Sequence, residues 1–301
     1  MITEQELSKQ LNRTIKSPIR IATLAEIGIN TNTFLSYFQP LFENLTDDLY
    51  LVKENQIAFL KSVFTEELTA IQKIHQPYFY GETTSEVLQP WLSRLAPPQQ
   101  ELFKLSSTVT RQRSIATFTV EKKGDDYTIE RITTDSFTQK VEDFRSWKRV
   151  FTQATPEAVE HDLFYSLLQK AFELVIAIHP NIQKLKITAH FMRTITQGVI
   201  KGENSPEGMH EDGAPYIISA LVVNRKNITG GATQIFEKLE ENQELIFNKE
   251  LALGEFAFQA DTGEEKTFGN DLWHYVTPIQ PIDITKKGIR DIIGFDIEII
   301  D

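Results

Sequence analysis

Cysteine is absent from this sequence of 301 residues. Its absence excludes disulfide bonds, cysteine-ligated zinc, iron–sulfur clusters and thiol catalysis. Any metal bound by this chain must therefore be held by histidine, aspartate or glutamate side chains, and the sequence contains only 6 histidines.

Long apolar runs and positive charge are also scarce. No segment reaches the roughly 18 consecutive apolar residues of a membrane-spanning helix, and the polar N-terminus lacks the apolar core of a signal peptide. We therefore expect a cytoplasmic protein with no membrane partner. The 42 acidic residues outnumber the 31 basic ones, which gives a formal charge of -11. Such a surface repels a phosphate backbone, so we expect no nucleic-acid partner.

The first third of the chain has the apolar spacing of helices, from about residue 32 to residue 105. Pro97-Pro98 interrupts that spacing, and RSIATFTVEKKGDDYTIERIT then alternates around Gly124 as a β-hairpin does. We therefore assign residues 1–110 to a helical N-terminal region and residues 111–301 to a β-rich domain.

Within the β-rich domain, one helix is predicted from Thr155-Pro156 to about Ile178, because a capping threonine and a proline at the first helical position precede an apolar stripe. From Lys184 onward the sequence reads as short alternating strands. The predicted fold class is α+β, with a helical region packed on an antiparallel sandwich or barrel.

His210 and Asp212 form the first part of a predicted metal site. In an extended backbone, positions i and i+2 project from the same face, so both side chains can reach one ion. His274 lies in the strand-like segment LWHYVTPI, where the alternative interpretation is a core histidine. Two histidines and one carboxylate form the facial triad of non-haem iron(II) enzymes, which leaves coordination positions open for a co-substrate and O2.

Two arginines are further candidates. Arg290 begins the last predicted strand, and its planar guanidinium suits the distal carboxylate of 2-oxoglutarate; the alternative is a salt bridge to Asp291 or Asp296. Arg193 shares a strand parity with apolar residues such as Phe191, so we expect it to be buried, to face the barrel interior and to bind a carboxylate. The alternative for Arg193 is a buried ion pair.

The segments GMHEDGAPYIISALVVNRKNITGGATQIF, LWHYVTPI and GIRDIIGFDI resemble, in this order and spacing, a bacterial family of 2-oxoglutarate- and iron(II)-dependent dioxygenases that hydroxylate free amino acids such as isoleucine. The resemblance spans roughly residues 185–299. It implies a double-stranded β-helix, the jelly-roll or cupin-like core, with His210, Asp212 and His274 as metal ligands and Arg290 as the 2-oxoglutarate residue. Upstream, Arg111 to Ser114 is similar to an R-x-R-S element of relatives, and Gln139 resembles a family glutamine.

The resemblance implies an enzyme that uses Fe(II), 2-oxoglutarate and O2, and that ascorbate assists in vitro. The expected reaction hydroxylates an unactivated C–H bond of a small free L-amino acid and converts 2-oxoglutarate to succinate and CO2. Arg193 or Arg113 would bind the substrate carboxylate. Two alternatives are a hydroxylase of a peptide, protein or carrier-bound residue, and a non-catalytic cupin-like sensor. The helical region could cover the barrel mouth, form a homodimer interface or dock a substrate carrier, and the sequence leaves these roles open.

Overall fold

The structure is a computed structural model that describes residues 1–134, 136–139, 144–238, 242–261, 268 and 271–300. Its contacts divide the chain into two compact units, which are described separately. The first unit comprises Met1–Thr46 and Arg113–Asp301, and the second comprises Asp47–Gln112. The domain boundary between residues 110 and 111 stays a prediction.

The helices and strands have the following bounds. The helices are α1 Glu4–Leu11, α2 Thr31–Phe38, α3 Leu49–Val63, α4 Leu68–Tyr80, α5 Gln89–Leu92, α6 Pro97–Ser106, α7 Pro156–Val159 and α8 Asp162–Ile176. The strands are β1 Ile2–Thr3, β2 Ile19–Thr23, β3 Thr46–Asp47, β4 Arg111–Lys123, β5 Asp126–Ile132, β6 Lys184–Thr196, β7 Tyr216–Lys226, β8 Ile228–Gly230, β9 Ala232–Lys238, β10 Gln243–Glu250, β11 Glu255–Ala260, β12 Asp271–Val276, β13 Ile279–Pro281 and β14 Gly288–Ile299.

The first unit contains one large sheet and two small ones. The large sheet runs in the order β1-β2-β11-β7-β14-β6-β4, with β5 beside β4. The strands β10, β9 and β12 form a three-stranded sheet, and β13 pairs with β8. The long central strands β7, β14 and β6 pair in antiparallel fashion. Mixed helix content with large antiparallel sheets confirms the predicted α+β class.

Both faces of the large sheet are covered. On one face, apolar side chains of β6 and β14 such as Phe191 and Phe295 pack in one cluster with Phe164 and Phe172 of α8. On the other face, Val222 and Ile292 belong to a second cluster with side chains of the three-stranded sheet and of β2. The burial of one such aliphatic or aromatic side chain stabilises the fold by about 1.5–3 kcal/mol. The strands are therefore buried on both sides, and their sequences carry apolar residues at both parities.

Several predicted elements are confirmed, and some are corrected. The hairpin around Gly124 is formed by β4 and β5. The helix predicted from Pro156 is two helices, because His161 adopts an extended backbone conformation and caps α8 with its side chain. The strands β1 and β2 near the N-terminus were not predicted, because they are too short to show a clear alternation of apolar and polar residues.

The second unit is helical, as predicted for this part of the chain. Its helices α3 to α6 bury a core that contains Ile57, Leu60, Ile71, Leu88 and Trp91. Trp91 donates a hydrogen bond to Glu67, and Arg94 pairs with the same carboxylate. Among the described residues, no helix is long and apolar enough to cross a membrane.

Candidate active site

The backbone itself brings the two candidate histidine ligands together. His210 lies in the segment between β6 and β7, and His274 lies in β12 of the three-stranded sheet. The two residues form an isolated antiparallel bridge, in which each backbone N–H donates to the other's carbonyl oxygen at 3.0 and 2.9 Å. Their ring centroids are 4.2 Å apart. Two segments distant in sequence therefore present adjacent imidazoles.

Asp212 completes a cluster with the two histidines. The ligand atoms of the three side chains all lie within 4.8 Å of one another. Oδ1 of Asp212 is 3.5 Å from Nε2 of His210, and Oδ2 is 3.3 Å from Nε2 of His274. His210 and His274 are only 7% and 4% exposed. This donor set, two buried imidazoles and one half-buried carboxylate, fits a divalent transition metal such as iron(II).

The contacts of His210 leave one ring nitrogen for a metal. Nδ1 of His210 lies 2.8 Å from the carbonyl oxygen of Gly208. Because a carbonyl oxygen only accepts hydrogen bonds, Nδ1 carries a proton, and Nε2, which faces the carboxylates of Asp212 and Glu207, is the nitrogen that a metal would bind. Gly208 has a φ of +82°, a conformation that glycine adopts without strain. A glycine two residues before the histidine therefore supplies the carbonyl that sets its tautomer.

The electrostatics of the cluster favour a bound cation. Burial acts to raise the pKa of Asp212, but the imidazoles of His274 and His210 hold that pKa well below its ordinary value. Burial acts to lower the pKa of His274, but the carboxylates of Asp212 and Asp261 raise it to about 10. The carboxylate thus stays ionised and stabilises positive charge at the positions that a metal would share.

Polar side chains, most of which the sequence pattern did not single out, surround Asp212. Nε2 of Gln139, which resembles a family glutamine in sequence, donates to Oδ1 of Asp212 at 2.7 Å. Arg149 donates to Oε1 of Gln139 at 2.8 Å. Oε1 of Glu207 is 3.1 Å from Nε2 of His210, and Nη1 of Arg145 donates to the carbonyl of Glu211 at 3.1 Å. The sequence offered one signal for Glu207, namely its position three residues before the candidate ligand His210.

Arg290 is a buried guanidinium without an anionic partner among the described residues. It is 2% exposed, and its Nε and Nη2 atoms are buried with no hydrogen-bond partner in the described part of the chain. Nη1 contacts Oδ1 of Asn204 at 3.5 Å. Burial, together with the charge of Arg225, which pairs with Arg290 across β7 and β14, lowers the pKa of Arg290 to about 9.

The free edge of Arg290 fits a carboxylate. Nε and Nη2 of a guanidinium point in parallel and bind both oxygens of one carboxylate. The alternative salt bridges are not formed, because Asp291 pairs with Arg193 and Asp296 lies 3.1 Å from His190. Gly231 leaves room for the side chain, since a Cβ at this position would lie 3.0 Å from Cδ of Arg290. Gly231 therefore borders this arginine.

Arg193 is buried as predicted, but the prediction that it faces the interior beside the metal ligands is wrong. Its neighbours of the same parity, such as Phe191, pack against α8. Its guanidinium binds both oxygens of Asp291 at 2.7 and 2.9 Å and donates to Glu43 at 2.9 Å. The structure therefore forms the ion pair that was the alternative. Strand alternation correctly predicted that Arg193 is buried. Because both faces of β6 are covered, alternation alone did not show which face lies toward the metal candidates.

Arg113 belongs to β4 and contacts His190, whose position in β6 has the opposite parity to that of Arg193. It is 7% exposed, its Nη2 is 2.7 Å from Nδ1 of His190, and its guanidinium carbon lies 4.1 Å from the ring centroid of Phe151. Nε2 of His190 is 3.1 Å from Oδ2 of Asp296. His190 thus joins a cation and a carboxylate in one polar row.

The profile of a protein family described as 2OG-Fe dioxygenase matches residues 98–296, a range that contains the whole cluster and Arg290. The chain belongs to the 2OG-Fe dioxygenase family. The solved structures to which this dioxygenase is similar include two that align with 99% of its chain. With a bsmA homolog from Methylobium petroleophilum PM1 the TM-score is 0.63 and the identity 16%, over 99% of this chain and 93% of that one.

With IDO from Bacillus thuringiensis the TM-score is 0.58 and the identity 15%, over 99% of this chain and 96% of that one. At these identities the likeness shows the fold. No curated protein matches the sequence. The dioxygenase uses Fe(II), 2-oxoglutarate and O2, as its family does. The comparisons do not favour the alternatives of a sensor or of a peptide, protein or carrier hydroxylase.

Proposed function

We propose that this dioxygenase hydroxylates an unactivated C–H bond of a small free L-amino acid and converts 2-oxoglutarate to succinate and CO2. The observation that carries the proposal is the cluster of His210, Asp212 and His274, whose ligand atoms lie within 4.8 Å of one another. The same chain buries a guanidinium edge of Arg290 that has no hydrogen-bond partner among the described residues. In this proposal the core is a double-stranded β-helix, in which the large and three-stranded sheets enclose the cluster.

His210, Asp212 and His274 would hold the iron, and Arg290 would bind the distal carboxylate of 2-oxoglutarate. When bound, iron(II) supplies the oxidation: with O2, 2-oxoglutarate loses CO2 and leaves as succinate with one oxygen atom, and the other enters the substrate C–H bond as a hydroxyl group. The two donors of Arg290 fix the co-substrate at one end, which restricts its orientation.

Arg113 is the proposed anchor for the carboxylate of the amino acid. Its guanidinium is held on the ring of Phe151 and beside His190, so its position is set before substrate arrives. Asp296, on the far side of His190, supplies a negative charge in the same polar row, which suits the ammonium group of an amino acid. Arg193 has no part in this proposal, because Asp291 and Glu43 already occupy its donors.

The test is a screen for succinate release across the common L-amino acids, with Fe(II), ascorbate, O2 and 2-oxoglutarate. We expect one or a few amino acids to give succinate in equal amount to a hydroxylated product. Asp212→Ala and His210→Ala should release none, because two remaining ligands do not hold the metal in position. Coupled turnover with peptides but with no free amino acid would refute the substrate class, and full activity of either variant would refute the metal assignment.

A further inference from the structure

Asp261 is a buried carboxylate that contacts two of the candidate ligand segments. It follows β11, and its side chain is 0% exposed. Its Oδ2 accepts hydrogen bonds from the backbone N–H groups of Asp212 at 2.7 Å and Gly213 at 2.9 Å. Its Oδ1 has no hydrogen-bond partner in the described ranges and lies 3.7 Å from Nδ1 of His274. One side chain therefore adjoins both Asp212 and His274.

The position of this carboxylate is physically costly without a cation. Removing an ionised carboxylate from water is strongly unfavourable unless charge or hydrogen bonds compensate it. Two backbone N–H groups satisfy Oδ2, but Oδ1 faces only the imidazole, and His274 is its one ion-pair neighbour in the part of the chain that is described. Nδ1 of His274 is likewise buried without a hydrogen-bond partner there. The two unsatisfied atoms are each other's natural partners.

We propose that Asp261 is a positioning residue that fixes the tautomer and orientation of His274 and holds the backbone of Asp212 in place for the metal. A histidine that binds a metal through Nε2 must carry its proton on Nδ1, and an anionic acceptor at Nδ1 favours that tautomer. A metal on Nε2 also makes Nδ1–H a stronger donor, which compensates the buried charge of Asp261. This inference rests on the proposed metal assignment of His210, Asp212 and His274.

A purely structural role for Asp261 would consist only of capping the two backbone N–H groups. Asp261→Asn separates the two roles. The amide oxygen of asparagine still accepts from Asp212 and Gly213, but its NH2 group then faces Nδ1 of His274. That contact favours the tautomer with the proton on Nε2, which cannot bind a metal through Nε2. Asp291→Asn is the matched control, because the side chain of Asp291 is also 0% exposed but pairs with Arg193 rather than with a candidate ligand.

The experiment is an anaerobic titration of the full-length protein with Fe(II), with melting temperatures of the metal-free proteins measured in parallel. We expect Asp261→Asn to weaken Fe(II) binding about 10- to 100-fold while the metal-free protein keeps its melting temperature. Asp291→Asn should lower the melting temperature and change Fe(II) affinity by less than about twofold. Absorption spectra with Co(II) as a probe should show altered ligand-field bands in Asp261→Asn alone.

The outcomes separate this inference from the metal assignment. Unchanged Fe(II) affinity in Asp261→Asn, together with loss of binding in His274→Ala, overturns the role of Asp261 alone. Unchanged affinity in both variants overturns the metal assignment and this role with it. If Asp261→Asn does not fold, the wild-type protein loaded with Zn(II) still decides the question. Its His274 should show a slowly exchanging Nδ1–H by NMR, and a proton on Nε2 or a rapidly exchanging Nδ1–H would refute the proposal.

Discussion

Arg290 and Arg193 are buried arginines on the paired strands β14 and β6, but they differ in their partners. Arg193 binds Asp291 in two-point geometry and also reaches Glu43. Arg290 keeps two buried N–H groups that no described residue accepts. A buried guanidinium costs several kcal/mol unless an anion compensates it. The same physical argument therefore assigns Arg193 to the scaffold and Arg290 to a ligand.

The first prediction concerns Arg290. Arg290→Lys should weaken the apparent affinity for 2-oxoglutarate by about thirty-fold or more, which corresponds to roughly 2–5 kcal/mol, because an ammonium group cannot donate in parallel to both carboxylate oxygens. Fe(II) affinity should stay the same, since the metal candidates do not contact this side chain. Titrations of 2-oxoglutarate and of Fe(II) with wild type and variant check both statements. Equal 2-oxoglutarate affinity in the two proteins would remove the assigned role.

The second prediction concerns Arg193. Arg193→Met should lower the free energy of unfolding by about 3–5 kcal/mol, because Asp291 is left buried without its cation. The double variant Arg193→Met/Asp291→Leu should recover most of that loss, since no uncompensated charge remains. Denaturant unfolding curves of the three proteins measure the difference. A selective loss of amino-acid affinity in a fully stable Arg193→Met protein would instead return Arg193 to the substrate site.

At the scale of elements, the large sheet carries a different layer on each face. The helical layer with α8 covers the face of Phe191 and Arg193, and the three-stranded sheet that carries His274 packs against the other face. Alternation along β6 correctly predicted which residues are buried. It could not predict which buried face holds the site, because that depends on long-range packing of α8. The contacts of Asn204, Asp261 and Asp291 also join residues far apart in sequence, and no local pattern contains them.

What local pattern could predict was predicted well. The spacing in His210-Glu211-Asp212 and the strand around His274 identified the three side chains that the structure brings together, and the hairpin at Gly124 follows from turn chemistry. The helix after Pro156 was predicted as one element, because its apolar stripe continues past the break at His161.

The third prediction concerns the short helical turn after α2 that carries Glu43. A hydrogen bond from Arg193 lowers the pKa of the Glu43 carboxyl below its ordinary value of 4.5. A lowered folded-state pKa contributes stability above the ordinary pKa, and that stability is lost as the pH falls through the folded-state pKa. Glu43→Gln should thus be less stable than wild type at pH 6, by no more than about 1 kcal/mol because solvent screens the pair. Unfolding curves from pH 6 to pH 3 should show the difference shrink, and a difference that grows toward acid would contradict this assignment.

At the scale of the whole molecule, the candidate active-site residues all lie in one of the two compact units. His210, Asp212, His274, Arg290 and Asp261 all belong to the first unit, whose two segments are Met1–Thr46 and Arg113–Asp301. The second unit begins and ends at adjacent points, because Gln112 donates to Asp47 at 2.8 Å and the N–H of Asp48 donates to the carbonyl of Arg111 at 2.9 Å. Its ends are thus close enough for a short linker to replace it.

The fourth prediction follows from that separation. A chain in which residues 47–112 are replaced by a short Gly/Ser linker should fold and bind Fe(II) with an affinity within a few-fold of wild type, because the metal candidates and Asp261 keep their contacts. Fe(II) titration and circular dichroism check this. A folded protein that no longer binds Fe(II) would show that the helical unit contributes to the metal site. Changed amino-acid affinity with intact Fe(II) binding would assign the unit to substrate capture.

The mutual hydrogen bonds between the backbones of His210 and His274 have a kinetic consequence. Ligands carried on free loops must be ordered when the ion arrives, whereas these two are fastened to each other during folding. Loss of the ion then leaves both imidazoles in place, so an emptied enzyme should reload in a single bimolecular encounter, without a slow rearrangement. Each molecule should therefore lose and regain iron repeatedly without unfolding.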